Sequence, residues 1–258
     1  MSPESEVLSL ESKNHAGRSA GSAVDSRPRT PDSGLVVEGL RKSYAAPGGV
    51  RVEVLRGVSF SARAGELLAI VGASGAGKST LLHLCGGLDA ADSGSVRAFG
   101  FDVTRRTPAE LTAWRARAVG FVFQFHHLLP ALTTVENVAM PLLIARRGRR
   151  EARDAAARAL EEVGLSGRAD HLPGELSGGE QQRAAIARAV VADPQLVLAD
   201  EPTGNLDASA GDAAGELLAR VARSRGACVL VATHNERLAR LCDRTLTLAG
   251  GLLRGGGD

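Results

Sequence analysis

The chain has 258 residues, of which 44% are hydrophobic and only 3% aromatic, so the core of a sizeable domain must be built from aliphatic side chains. The net charge of +2 argues against a nucleic-acid-binding protein held by bulk charge, and no apolar run approaches the roughly 20 residues that span a bilayer. Three widely separated cysteines, Cys85, Cys228 and Cys242, argue against a disulfide framework or zinc site and fit a reducing cytosol.

Residues 1–34 are rich in serine and show no periodic apolar pattern, so we expect a disordered tail. Glu4, Glu6 and Glu11 and the lack of an apolar segment argue against a secretory signal peptide. The tail is interpreted as passive. The alternatives are a regulatory or tethering segment, or a start site assigned too far upstream.

The next segments alternate approximately with period two and predict antiparallel strands over residues 35–44, 52–55 and 58–62. Tyr44, the only tyrosine, ends the first of these strands. Taken alone, it is either a half-buried strand residue or a ring on which a purine base stacks.

An apolar run, residues 67–71, leads into a glycine-rich loop and then into a helical segment. The loop and the start of the helix are Gly72, Ala73, Ser74, Gly75, Ala76, Gly77, Lys78, Ser79 and Thr80. This pattern is typical of a P-loop, in which backbone N–H groups and a helix N-terminus bind phosphate oxygens. We expect Lys78 to contact the β- and γ-phosphates of a nucleoside triphosphate and Ser79 to contact Mg²⁺.

A helix and then a strand are predicted before the middle of the chain. Thr107, Pro108 and Glu110 indicate a capped helix start, and residues 119–124 predict a buried strand that ends in Gln124.

Helical character dominates residues 125–166, with Pro141 interrupting or restarting a helix, and the helical subdomain is predicted at about residues 125–190. An arginine-rich stretch around Gly148 is interpreted as a solvated turn, with contact to anionic lipid head groups as the alternative.

Ser177, Gly178 and Gly179 open a further helix and form a second candidate anion-binding turn. The alternative is a plain helix cap. One triphosphate hardly needs two such cradles about 100 residues apart in one chain, so we expect two copies to pack head to tail. Each Ser-Gly-Gly turn would then face the γ-phosphate of the other copy.

Two continuous apolar runs, residues 196–199 and 227–232, predict strands buried on both faces, as in a parallel sheet. The first ends in Asp200 and Glu201, and the second leads to His234. Strand–helix alternation from residue 67 onward predicts an α/β fold with a mostly parallel, helix-covered sheet.

Ligands of such sheets bind at the carboxyl ends of the strands. The polar side chains expected there are Lys78, Gln124, Asp200, Glu201 and His234. Asp200 would hold Mg²⁺, and Glu201 would polarise the attacking water. Gln124 would sense the γ-phosphate or help coordinate Mg²⁺, and His234 would bond the γ-phosphate and Glu201. Taken singly, Gln124 and His234 would more often be structural.

From residue 35 to about residue 253 the sequence resembles the ATP-binding cassette (ABC) ATPases. The matching motifs are Walker A (72–80), the Q-loop (Gln124), the signature (176–181), Walker B with its glutamate (196–201), the D-loop (205–207) and the switch histidine (His234). The resemblance implies a P-loop NTPase core with an N-terminal antiparallel β subdomain and a helical subdomain, over residues 35–258. It also implies ATP and Mg²⁺ as cofactors and a closed homodimer holding two ATP. Tyr44 would stack on adenine, and Asp207 would belong to the nucleotide site.

Residues 123–130 and 134–143 resemble, more narrowly, the ATPases of lipoprotein-releasing transporters, whereas residues 198–207 identify only a wider group. This resemblance implies an ATPase at the cytoplasmic face of the bacterial inner membrane. Two transmembrane permease subunits would contact the region after Gln124. The one departure near the site is Asn235, where aspartate is common.

Other functions remain as alternatives. The near one is the ATPase of a macrolide- or peptide-type exporter or of a cell-division complex. The distant one is a soluble ABC ATPase of DNA repair or translation, which the spacing of about 100 residues between Walker A and the signature disfavours because it leaves no room for a coiled-coil insert.

Overall fold

The computed structural model describes residues 33–255. The tail predicted for residues 1–34 lies outside this range, except that Ser33 and Gly34 already belong to the first strand. In chain order the elements are β1 (Ser33–Ala45), β2 (Arg51–Arg63), β3 (Leu67–Val71), α1 (Lys78–Cys85), β4 (Ser93–Ala98), β5 (Phe101–Asp102), α2 (Pro108–Ala118), β6 (Val119–Phe123), α3 (Thr134–Ile144), α4 (Arg149–Glu162), α5 (Gly178–Val190), β7 (Leu196–Asp200), α6 (Ala208–Arg225), β8 (Cys228–Thr233), α7 (Glu236–Arg240), β9 (Arg244–Ala249) and β10 (Leu252–Arg254).

The first sheet is antiparallel and has the strand order β2-β1-β4-β5. β1 and β2 pair along their lengths, from Ser33 opposite Arg63 to Ala45 opposite Arg51, with several register shifts. The segments predicted as separate strands at residues 52–55 and 58–62 form one continuous strand, β2. The antiparallel pairing is as predicted.

The second sheet has the order β10-β9-β3-β8-β7-β6. β6, β7, β8, β3 and β9 run parallel, and only β10 is antiparallel to its neighbour. This arrangement confirms the predicted α/β fold with a mostly parallel sheet. The register aligns the strand ends, because Phe123 pairs with Asp200, Asp200 with Ala232, and Val71 with Thr233.

Alternate side chains of the parallel strands enter two different cores, as the period of a β-strand requires. On β7, Val197 and Ala199 pack with the helices α3 to α6, whereas Leu196 and Leu198 pack with α1 and the antiparallel sheet. Both faces are therefore buried, which explains the continuous apolar run. The fully buried hydrophobic residues in the described range are Leu, Val, Ile, Ala and Cys, so the predicted aliphatic core is confirmed.

Helices α3, α4 and α5 form the helical part of residues 125–190, although the first of them begins only at Thr134. Pro141 lies inside α3 and does not interrupt it, contrary to prediction. Val138 and Leu142 on either side of Pro141 are buried in the same core. Their packing outweighs the one backbone hydrogen bond that proline removes. Among residues 33–255, no helix is long and apolar enough to cross a membrane.

We expect Thr107→Ala to lower the free energy of unfolding by about 1 kcal/mol, because Thr107 caps α2 as predicted. Its hydroxyl accepts a bond from the Glu110 N–H at 3.3 Å, and Glu110 accepts one from the Thr107 N–H at 2.9 Å. α2 buries no residue fully, so the change is local. Urea titration measures the effect. Thr107→Ser keeps the hydroxyl and should match the wild type; equal stability of all three proteins would contradict the capping role.

Candidate functional site

The P-loop connects β3 to α1 and needs glycine at its two ends. A Cβ on Gly72 would lie 2.4 Å from the carbonyl oxygen of Leu248, and Gly77, the N-cap of α1, has φ +101°. Side chains at these positions would push the loop away from the sheet or strain the backbone. The close-fitting loop therefore leads the chain from the carboxyl end of β3 into the N-terminus of α1, an arrangement that suits an anion.

Lys78, the first residue of α1, is 7% exposed, and its ammonium points into the loop. Nζ donates to the carbonyl oxygens of Gly72 at 2.9 Å and Ala73 at 3.2 Å. It also lies 3.4 Å from Oε1 of Glu201. A buried ammonium requires such partners, so Lys78 joins the P-loop to the carboxylate that follows β7.

Glu201 is held by groups at the end of β8. Its carboxylate accepts bonds from the Thr233 hydroxyl and the His234 N–H, both at 3.2 Å, and Oε1 lies 3.0 Å from Nδ1 of His234. Its backbone has φ +44°, and its N–H donates to the carbonyl oxygen of Ala232 at 2.8 Å. A non-glycine residue in this conformation is a local strain that the surrounding bonds maintain.

Asp200 ends β7 and carries a buried oxygen, Oδ1, without a hydrogen-bond partner in the described residues. Burial raises the pKa of this carboxyl, and the Glu201 charge acts in the same direction, whereas the Ser79 hydroxyl lowers the pKa. An orphaned buried carboxylate oxygen beside a hydroxyl fits a divalent cation. Within residues 33–255, there is no group of three or more His, Cys, Asp or Glu side chains that could hold a metal ion.

Gln124 follows β6 directly, beside the end of β7, but its side chain bonds to the loop before α6. Its Nε2 donates to Oδ1 of Asn205 at 3.0 Å, and Nδ2 of Asn205 donates back to the Gln124 carbonyl oxygen at 3.0 Å. The sequence pattern did not predict this reciprocal pair. Asp207, two residues further on, caps α6 by accepting a bond from the Ala210 N–H at 2.9 Å.

Ser177 is the N-cap of α5 in a capping box with Glu180. The Glu180 carboxylate accepts hydrogen bonds from the Ser177 N–H at 2.8 Å and from the Arg168 guanidinium at 3.0 Å. Next to this cap, Gly178 and Gly179 face Leu206 and Ala210. Within residues 33–255, no hydrogen bond or ion pair joins this turn to residues 72–80 of the same chain.

Tyr44 lies at the end of β1 with 39% of its surface exposed. Its hydroxyl donates to Oδ2 of Asp89 at 2.7 Å. Burial raises the pKa of Tyr44, as does the bond to Asp89, whereas the side chain of Thr80 in α1 lowers it. The ring thus stands beside the helix that begins in the P-loop. The sequence analysis did not predict the contact between Asp89 and Tyr44.

The loop after Gln124 is fixed from two helices. Arg188 of α5 donates to the carbonyl oxygens of His126 and His127, both at 2.6 Å. The buried amide of Asn137 in α3 accepts the Leu129 N–H at 2.7 Å and donates to the Leu129 carbonyl oxygen at 3.1 Å. Neither Arg188 nor Asn137 was singled out from the sequence, since each bonds to backbone rather than to a motif residue.

The structure therefore brings only some of the predicted site residues into contact. Lys78, Glu201 and His234 are in contact, and Asp200 is adjacent to them. Thr233 was missed, although it directly precedes His234 at a strand end. A carboxylate held beside an ammonium and an imidazole, at the mouth of a phosphate loop, can accept a proton from water close to a bound phosphate.

Comparisons with known proteins agree with these features. The profile of the ABC transporter family matches residues 55–204. The lipoprotein-releasing system ATP-binding protein LolD of Geobacter metallireducens is 55% identical over 217 residues, covering 84% of this chain and 96% of the relative. LolD of Myxococcus xanthus is 52% identical over 217 residues, with the same coverages.

Solved structures show the same fold. The dimeric structure of MJ0796, a bacterial ABC transporter cassette, has a TM-score of 0.79 and 37% identity, covering 86% of this chain and 97% of that chain. MJ0796 in a post-hydrolysis state bound to ADP and Pi has a TM-score of 0.79 and 36% identity, with the same coverages.

We expect Glu180→Gln to destabilise the protein in a pH-dependent way. The bonds from the Ser177 backbone and Arg168 lower the pKa of Glu180 from 4.5 to about 2. A carboxyl whose pKa is lower in the folded state stabilises above its unfolded pKa and loses that contribution as the pH falls through both values.

The difference in urea midpoint between wild type and Glu180→Gln should therefore be largest above about pH 5 and shrink as the pH falls below about 4.5. Glu161→Gln, which removes an exposed carboxylate without a hydrogen bond in the described residues, serves as the control. A pH-independent difference would show that the Glu180 charge does not act through these bonds.

Proposed function

This chain belongs to the ABC transporter family, and we propose that it is the ATP-hydrolysing subunit of a transporter that releases lipoproteins from the bacterial inner membrane. The observation that carries the hydrolytic part is the Glu201 carboxylate, held at the P-loop by Lys78 and His234. The choice of lipoprotein release rests on the LolD relatives, which match over 96% of their length.

Phosphate binding would change the partners of Lys78. In the structure its ammonium is satisfied by the Gly72 and Ala73 carbonyl oxygens and by Glu201. The β- and γ-phosphates of ATP offer stronger, charged acceptors at the same loop. As Lys78 turns to them, Glu201 keeps its bonds to Thr233 and His234 and becomes available to take a proton from the attacking water.

Mg²⁺ would be held by the Ser79 hydroxyl and by Asp200, whose buried oxygen has no partner among the described residues. Gln124 is the further candidate ligand, and its side chain would exchange Asn205 for the metal or the γ-phosphate. When bound, Mg²⁺ neutralises charge on the β- and γ-phosphates.

A second copy would complete the site. The Ser177 turn, with Gly178 and Gly179, lies at a helix N-terminus and makes no bond to the P-loop of its own chain within residues 33–255. In a head-to-tail homodimer it would face the γ-phosphate bound by the partner, and Asp207 would lie near the same interface. The likeness to the dimeric MJ0796 cassette supports this arrangement. Tyr44 would stack on the adenine.

The loop after Gln124 would contact two transmembrane permease subunits. Phe125 is 66% exposed and Leu129 46% exposed, so this loop offers two large apolar side chains to a partner. Through these permeases the ATPase dimer would sit at the cytoplasmic face of the inner membrane. ATP-driven closure of the dimer would move the permeases, and hydrolysis would reopen it.

We expect Glu201→Gln to reduce ATP hydrolysis at least about 10²-fold while ATP binding is retained, because the amide cannot accept the proton from water. With ATP and Mg²⁺ the variant should accumulate as a dimer in size-exclusion chromatography. The exposed Glu216→Gln in α6 is the control and should turn over ATP and remain monomeric like the wild type. Normal turnover by Glu201→Gln would rule out the general-base role.

Purification from detergent-solubilised inner membranes tests the partner. The wild-type chain should bring down two permease chains whose genes belong to a lipoprotein-releasing system. The double variant Phe125→Glu/Leu129→Glu should lose them, because two charges replace exposed apolar contacts. Leu252→Glu, at an apolar position of β10 that is 43% exposed, should retain them. Recovery of a macrolide- or peptide-type exporter permease instead would reject lipoprotein release and leave the ATPase assignment intact.

A further inference from the structure

The segment between α1 and β4 is fastened to the end of β1. The Ser43 N–H donates to Oδ2 of Asp92 at 2.8 Å, and the Asp92 N–H donates to the Arg41 carbonyl oxygen at 3.0 Å. Lys42 donates to the Ala90 carbonyl oxygen at 2.7 Å. The strand that ends in Tyr44 is thus tied to the chain that leaves the P-loop helix.

Asp89 lies at the centre of these contacts, and its two carboxylate oxygens accept from three donors, one of which is the neighbouring Ala90 N–H, which donates to Oδ1 at 2.7 Å. Oδ1 accepts from the Lys42 ammonium at 2.8 Å, and Oδ2 accepts from the Tyr44 hydroxyl at 2.7 Å. Lys42 is only 8% exposed, so its charge needs this partner. If either carboxylate oxygen were removed, one of these side-chain donors would lose its acceptor.

These bonds restrict the Tyr44 ring in two ways. The hydroxyl is fixed at Asp89, and the Lys42 ammonium lies over one ring face, 4.8 Å from the centroid. With 39% of the residue exposed, part of the ring remains accessible to an aromatic ligand.

We propose that Asp89 is a positioning residue for nucleotide binding, which orients the Tyr44 ring for the purine base through the Tyr44 hydroxyl. The inference rests on the proposed role of Tyr44 in stacking on adenine. A ring fixed before the nucleotide arrives loses less conformational freedom on binding, so Asp89 acts on affinity rather than on the chemical step.

The protonation states support these bonds at neutral pH. Although burial raises the pKa of Asp89, the bonds from Lys42 and Tyr44 more than offset this and hold the pKa below its usual value, so the carboxylate is charged. The pKa of Tyr44 is raised by burial and by Asp89, so the phenol keeps its proton and donates it.

Steady-state kinetics of the full chain with ATP and Mg²⁺ test the proposal. Asp89→Asn removes the charge and can accept at only one of its two side-chain atoms, so the Tyr44 hydroxyl loses its charged acceptor and keeps at best a neutral bond from the amide. We expect KM for ATP to rise about tenfold with kcat unchanged, the lower end of the range for one lost hydrogen bond to a charged group. Tyr44→Phe, which leaves the Asp89–Lys42 pair intact, should have the same effect, and the double variant should be no worse than either single variant.

Asp92→Asn is the matched control. It alters a carboxylate of the same segment that bonds Ser43 and not Tyr44, and it should leave KM unchanged. A wild-type KM in Tyr44→Phe would overturn the proposal even if Asp89→Asn failed to fold, and so would additive effects in the double variant. If Tyr44→Ala leaves KM unchanged, the stacking role itself fails. If Tyr44→Ala raises KM while Asp89→Asn and Tyr44→Phe do not, only the role of Asp89 fails.

A spectroscopic test needs no nucleotide. Tyr44 is the only tyrosine, so the ultraviolet absorbance of phenolate reports its titration alone. Asp89→Asn should shift this titration to lower pH than in the wild type, whereas Asp92→Asn should not. An identical titration in wild type and Asp89→Asn would show that the carboxylate does not hold the Tyr44 hydroxyl in solution.

Discussion

The buried ammonium of Lys78 sets the shape of the site. In a mostly desolvated position it needs oxygen partners, and it finds them in the carbonyl oxygens of Gly72 and Ala73 and the carboxylate of Glu201. The bonds to the two carbonyl oxygens hold the P-loop around the Lys78 ammonium. The third brings the carboxylate that follows β7 to the same point. One charge thus organises both the loop proposed to bind phosphate and the carboxylate proposed to act on water.

This arrangement depends on strand register. Phe123 and Asp200, which end β6 and β7, pair with each other, and Asp200 pairs with Ala232 one residue before the end of β8, so the residues that follow these strands emerge at a common edge. A shift of one residue in β7 would move Glu201 away from Lys78 and turn the alternating apolar side chains to the wrong core. Both faces of the sheet are buried, and this burial makes such a shift costly.

The sequence predicted what depends on local pattern. Continuous apolar runs marked β3, β7 and β8, and the glycine spacing marked the P-loop, because each reflects a requirement within a few residues. Contacts between distant segments could not be predicted in this way. The Gln124–Asn205 pair joins residues 81 positions apart, and Tyr44 meets Asp89 across 45 positions. Pro141 was misjudged for a related reason, since the burial that keeps α3 continuous comes from other helices.

The two candidate anion-binding elements belong to different parts of the fold. The P-loop, Asp200 and Glu201 belong to the parallel sheet, whereas the Ser177 turn belongs to α5, whose buried face packs with α3 and α4. The loop after Gln124 connects these two parts. It leaves β6 beside Asp200, and Arg188 of α5 holds the carbonyl oxygens of His126 and His127, the latter at φ +49°.

Arg188 forms no ion pair with the described residues, so its mostly buried charge is satisfied by these backbone oxygens. Because one guanidinium bonds two successive carbonyl oxygens, these bonds fix the direction of the loop backbone as well as its distance from α5. Moving the loop without α5 would break these bonds and leave the guanidinium without acceptors, so the loop is coupled to the helix that begins at the Ser177 turn. The exposed Phe125 and Leu129 lie on this same loop, so a partner that contacts them would act on both candidate anion-binding elements through one short segment.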